Sequence, residues 1–87
     1  MKIEMAKSLS GHDKEKIYVI AKEEGEIVYL VNGENRTLEQ PKKKNRKHIQ
    51  VIKKLPTEIT DCFSKGLTDL AIKRAIKLYE KNMSKVN

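Results

Sequence analysis

The chain has 87 residues, 38% hydrophobic and 36% charged, with 19 Lys and Arg against 12 Asp and Glu and a formal net charge of +7. Such a chain is one small domain, or a domain with an appendage, hiding only about 60% of its unfolded surface behind a thin core. Its longest apolar runs are five residues where a bilayer span needs about 20, Met1 to Met5 lacks the apolar stretch of a secretory leader, and one cysteine cannot form an internal disulfide, so a membrane protein, a disulfide scaffold and most enzymes are excluded in favour of a basic cytoplasmic module.

The odd-position alternation of Ile3, Met5 and Leu9 predicts a short first strand over Lys2 to Leu9. Ser8 to Asp13 is turn chemistry around Gly11. Lys16 to Lys22, with Ile17, Tyr18, Val19 and Ile20, reads as a second strand, and Glu23 to Glu26 as an acidic turn. Ile27 to Val31 is apolar on both faces and reads as a central strand. Asn32-Gly33 predicts a tight hairpin, because both residues tolerate positive φ, with Arg36 to Glu39 as the return strand and Pro41 as its end. Lys42 to Lys47 reads as a basic loop, and His48 to Lys53 as a fifth strand with Ile49 and Val51 on one face and Gln50 and Ile52 on the other. Five short strands in about fifty residues predict a small barrel or sandwich over residues 1–55.

Pro56 marks a boundary, and residues 56–87 read as a polar, hinge-like linker followed by a helix. Ile72, Ile76, Tyr79 and Met83 recur at helical spacing, widened by Ala71, Ala75 and Leu78. Thr68 is the expected N-cap, Asp69 suits the first turn, and Lys81 and Lys85 suit the other end. The stripe is expected to dock on the barrel, with a partner surface as the alternative.

The excess charge is concentrated in one segment. Between Arg36 and Lys54 stand eight basic residues against one acid, Glu39, while the remaining eleven basic and eleven acidic residues cancel. Solubility needs no such clustering, whereas a polyanion is attracted by it. Nucleic acid is the first expectation and an anionic membrane surface the second. Aromatic residues are few (Tyr18, Tyr29, Tyr79 and Phe63), so contacts are expected to run from Lys and Arg to phosphate, favouring structured RNA recognised by shape.

Other chemistry finds little support. His12 and Asp13 lie near Ser8 and Ser10, but neighbours in one turn do not align a nucleophile with its base, and no nucleophile elbow is present. His12, His48 and Cys62 lack metal-ligand spacing, and Cys62 reads as a small buried hydrophobe. The four glycines are too scattered for a phosphate loop, and no cofactor is expected.

Three ordered motifs carry a family resemblance. Ser8-Leu9-Ser10-Gly11-His12-Asp13-Lys14 with Ile17 to Ile20, then Val31-Asn32-Gly33-Glu34-Asn35-Arg36, then Pro41-Lys42-Lys43-Lys44 with Lys47-His48-Ile49-Gln50, resemble the small bacterial KOW-domain RNA-binding proteins, which are similar to KOW-bearing proteins of the large ribosomal subunit. The likeness covers roughly residues 3 to 54. It implies a mainly β fold, a five-stranded SH3-like barrel with the C-terminal helix as its tail. It also implies RNA binding, association with ribosomes or translation, no catalysis and no cofactor. Carried over by position, the KOW loop would be Gly11 to Lys16, with His12, Lys14 and Lys16 as contacts. Arg36, Lys42, Lys43, Lys44, Arg46, Lys47 and His48 would be the other RNA-binding residues. The family pattern has a glycine after the Asp-Lys of the turn where this chain has Glu15, which shifts the expected contact toward the basic loop. The expected partner is ribosomal RNA, with ribosomal proteins beside it, for a monomer off the membrane. The alternative is a KOW or SH3-like adaptor docking on transcription or translation machinery.

Overall fold

A computed structural model describes residues 3–84. The Lys2 end of the predicted first strand, and Lys85, lie outside the described residues. Five strands, β1 (Glu4–Ser8), β2 (Ile17–Glu24), β3 (Ile27–Val31), β4 (Lys42–Asn45) and β5 (Ile49–Ile52), form one antiparallel sheet in the order β4-β3-β2-β1-β5. A 3₁₀ turn, Arg46–His48, links β4 to β5. The short helix α1 (Thr57–Thr60), a 3₁₀ turn at Asp61–Phe63 and the long helix α2 (Asp69–Ser84) complete the chain.

Alternation along the strands makes two apolar faces. Ala6, Tyr18, Ile20, Val28, Leu30 and Ile49 form one cluster, with Val51 against it. Met5, Ile17, Val19 and Val31 point the other way and meet Ile59, Phe63, Ala71, Ile72, Ala75 and Ile76 from the helices. β2 supplies both clusters, which is why its run reads as continuously apolar. The sheet curls into an open half-barrel. β4 and β1 stand three strand spacings apart, roughly 14 Å if flat, further than a lysine side chain extends. Yet Lys44 Nζ on β4 donates to Ser8 Oγ on β1 at 2.8 Å.

Two strand expectations are corrected. Arg36 to Glu39 is irregular rather than a return strand. The chain does reverse at Asn32: its Oδ1 accepts the N–H groups of Glu34 and Arg36, and the Asn32 and Gly33 N–H groups donate to the Arg36 carbonyl. The Leu38 N–H then goes to the Asp69 carboxylate on α2, and that of Gln40 to Thr37, leaving no ladder to form. The return strand is instead Lys42–Asn45, within the stretch read as a basic loop, and it pairs with Ile27–Leu30. Three consecutive lysines carry no hydrophobic alternation, so sequence periodicity is blind to this strand.

The stretch after Pro56 is not a hinge in the structure. Pro56 stands at the N-terminus of α1, and Ile59 and Phe63 are buried in the core shared with α2. Cys62 is half-buried beside that core. Thr68 caps α2 as expected, its Oγ1 accepting the Ala71 N–H at 3.1 Å. Ile72 and Ile76 are buried, Tyr79 is half-buried, and Met83 at the end of the stripe is 51% exposed. Gly33 lies under the first turns of α2 at φ +79°, where an added Cβ would stand 2.4 Å from the Asp69 carbonyl oxygen. That contact makes a glycine necessary twice over.

Candidate nucleic-acid interface

The β1–β2 turn is closed by backbone bonds. Ser8 N–H donates to the Lys16 carbonyl, Glu15 N–H to the Ser8 carbonyl, and Lys16 N–H to the Asp13 carbonyl, all within 2.9 Å. To close it, Glu15 adopts φ +76°, the one non-glycine residue with positive φ among the described residues. Its carboxylate pairs with Lys7 at 3.6 Å.

The turn aims Asp13 into the concave side of the sheet, where it is 5% exposed. Because Lys42 and Lys44 alternate with Lys43 along β4, they point to that same side. Lys44 Nζ lies 2.8 Å from Asp13 Oδ1, and Lys42 Nζ lies 3.0 Å from Oδ2. Ser8 Oγ donates to Oδ1 at 2.9 Å. Lys44 spends its three protons on Ser8 Oγ, the Ser10 carbonyl and Asp13, each at 2.8 Å. Burial acts to raise the Asp13 carboxyl, but the Lys44 and Lys42 ammoniums and the Ser8 hydroxyl together hold it well below the usual carboxylate range. Burial first, and then the neighbouring Asp13 carboxylate, push the Tyr18 phenol up to about 12, while the charge of Arg36 opposes the rise.

The fold thus brings two segments far apart in sequence together at Asp13, the Gly11–Lys16 turn and the basic run, while Arg36 at the hairpin exit acts through its charge on Tyr18. A further bond, Leu9 N–H to the His48 carbonyl at 2.8 Å, clips the 3₁₀ turn to the same end of the half-barrel. The candidate residues divide by role. Lys42 and Lys44 are internal ligands of a carboxylate. Arg46 pairs with Glu23. Lys43 points outward beside Tyr29. His12, Lys14, Lys16, Lys47 and His48 are exposed, and Arg36 is half-buried, with no ion pair for any of them among the described residues.

Ser8 and Tyr18 were missed as members of the polar cluster. Ser8 stood in a turn-like string, and Tyr18 among apolar strand residues. The signal available for both was even-position alternation, which puts Ser8, Tyr18 and the Lys42/Lys44 pair on one face. Among the described residues no group of His, Cys, Asp and Glu is placed to hold a metal ion, and no helix is long and apolar enough to cross a membrane. No protein-family model and no curated protein matches the sequence.

Proposed function

We propose that the protein is a non-catalytic RNA-binding module, a KOW-type SH3-like barrel with a docked helical tail, that grips structured RNA of the ribosome or translation apparatus in the cytoplasm as a monomer. The observation that carries this reading is the Asp13 cluster. It ties the β1–β2 turn to the basic run, so that His12, Lys14, Lys16, Lys47 and His48 share one end of the half-barrel without acidic partners. The barrel assignment is supported by the strand order and by the 3₁₀ turn that passes from β4 to β5 across the open side. Lysine ammoniums at this end suit phosphate contacts, which position a nucleic acid without reading its bases.

The test is fluorescence anisotropy with a labelled, folded ribosomal RNA fragment. Tight binding that Lys14→Glu together with Lys47→Glu weakens at least tenfold supports the reading. Absence of binding at low salt rejects it.

A second reading, a protein-interaction adaptor, is favoured by a groove of about 570 Å³ beside the β5 edge, lined by Ile3, Val51, Ile52, Leu55 and Phe63 among others. Nuclease treatment of a lysate before gel filtration separates the two. An RNA binder leaves the large fractions, and an adaptor on a nuclease-resistant protein complex stays in them.

A further inference from the structure

Strand β4 divides its lysines between two faces. Lys42 and Lys44 turn inward to Asp13, whereas Lys43 turns outward, directly opposite Tyr29 on β3. Tyr29 is in turn opposite Lys22 on β2. A β-bulge makes that second alignment: the register shifts between Ile20 and Lys22, so the extra residue, Ala21, is passed over. The result is a cross-strand row, Lys22–Tyr29–Lys43, with the two Nζ atoms 5.5 and 5.7 Å from the centre of the Tyr29 ring.

The ring is half-exposed, and its hydroxyl donates to the Glu24 carboxylate, which fixes its tilt. Glu24 is also within 3.5 Å of Lys22, so its charge is already compensated at this spot. The helices cover the same face of the sheet over Met5, Ile17, Val19 and Val31, with Ala21 and Ile52 packed at the border and Tyr29 outside this cluster. Tyr18 and Phe63 are buried, and Tyr79 packs against the helix core, so none of these rings is presented as Tyr29 is.

We propose that the Lys22–Tyr29–Lys43 row is a stacking subsite for an unpaired nucleobase, with the two ammoniums taking the phosphates on either side of it. This rests on the RNA-binding reading and extends it from duplex shape to a single-stranded segment next to the folded RNA. The chemistry fits in three respects. A tyrosine face stacks on any base, which adds affinity without sequence preference. The Lys43 ammonium is held only over the ring, and Lys22 adds to its ring contact an exposed pair with Glu24, so both are weakly bound and free to move to a phosphate. A row of two cations around one aromatic matches the repeat of a nucleotide, a flat base between two negative charges.

The experiment uses Tyr29→Leu, Tyr29→Phe and Tyr29→Trp in the full chain. Each is checked by thermal melting and titrated with an unstructured 12-nucleotide RNA and with an RNA duplex. The expected result for Tyr29→Leu is about a tenfold loss on the single strand, within the range measured for single base stacks, and less than a twofold loss on the duplex. Tyr29→Phe keeps single-strand affinity, because the ring and not the hydroxyl does the stacking. The chain has no native tryptophan, so Tyr29→Trp reports directly: its emission is quenched by the single strand and not by the duplex. This variant keeps a large aromatic ring, and the test survives if Tyr29→Leu fails to fold. Unchanged single-strand affinity in Tyr29→Leu, or unquenched Tyr29→Trp at saturating single strand, overturns the subsite. Duplex binding that persists then leaves the parent reading standing, whereas a wild-type chain that binds neither RNA overturns both.

Discussion

Asp13 and Lys44 meet at 2.8 Å, one in the β1–β2 turn and the other on the edge strand β4. The contact lies on the concave side of the sheet, with Asp13 5% exposed. Removing the carboxylate charge strands two ammoniums, and breaking a buried pair by removing one partner costs about 3–5 kcal/mol. Asp13→Asn should therefore lower stability by an amount of that order in urea unfolding. The double variant Asp13→Asn with Lys44→Met should recover part of the loss, because the orphaned charge goes too. Strict additivity of the two single variants would show that the pair is not coupled.

The same pair sets the acid limb of stability. The Asp13 carboxyl titrates far below its ordinary value of 3.8 in the folded chain. The unfolded state therefore binds the proton first, and the stabilisation is complete above the unfolded value and fades as the pH falls toward the folded one. Below about pH 4 the wild type should lose about 1.4 kcal/mol per pH unit from this group alone. Asp13→Asn should lack that component in melting curves taken between pH 5 and pH 2. Tyr18 acts with the opposite sense: its raised value, about 12 against an ordinary 10.0, gives stability that is full below pH 10 and drains as the pH rises to 12. Tyr18→Phe should flatten that alkaline limb.

Glu15 at φ +76° occupies a conformation that costs an L side chain about 1–2 kcal/mol. Glu15→Gly should stabilise the protein by about 1 kcal/mol after the extra freedom of glycine in the unfolded chain is deducted. Glu15→Gln keeps the strain and should leave the melting temperature nearly unchanged. Both remove a negative charge beside Lys14 and Lys16, so both should raise RNA affinity if the turn lies at the interface. An unchanged affinity and salt slope in both would place the turn outside it.

The helix anchors are separable from the charged end. Ile72 is fully buried, and Ile72→Ala should cost about 2–5 kcal/mol. Met83 is 51% exposed, and Met83→Ala should shift the melting temperature little. Gly33→Ala should be as damaging as a core truncation, about 3 kcal/mol, because it adds left-handed strain to a Cβ pressed on the Asp69 carbonyl. RNA affinity measured well below melting should survive Ile72→Ala. A large loss with the fold intact would assign the helix to the RNA site.

On the proposed RNA-binding reading, salt dependence counts the phosphate contacts. With three to five made, log affinity against log salt should have a slope of roughly −2 to −5, at about 0.7–0.9 per phosphate. Lys47→Ala should reduce the slope by about 1. Lys44→Met should change it little, because that ammonium already spends its three donors inside the protein. A slope near zero with tight binding would sink the phosphate-clamp account.

Composition and periodicity by themselves determined four of the five strands, the helix stripe through Ile72 and Ile76, the Thr68 cap and the concentration of charge between Arg36 and Lys54. Each is a local property: side-chain alternation, a hydroxyl three residues from an N–H, or a count of lysines along the chain. Only the tertiary structure decided which of those lysines face outward. β4 has no apolar residue to declare its period, and its existence rests on the free edge of β3 and on a carboxylate twenty-nine and thirty-one residues upstream of Lys42 and Lys44. The same holds for Leu38, whose N–H is taken by Asp69 on a helix thirty-one residues away, so the expected return strand never forms. Long-range partners of this kind leave no mark in a short window of sequence, because the energy that selects them appears only once the sheet has curled and brought its edge strand over the turn.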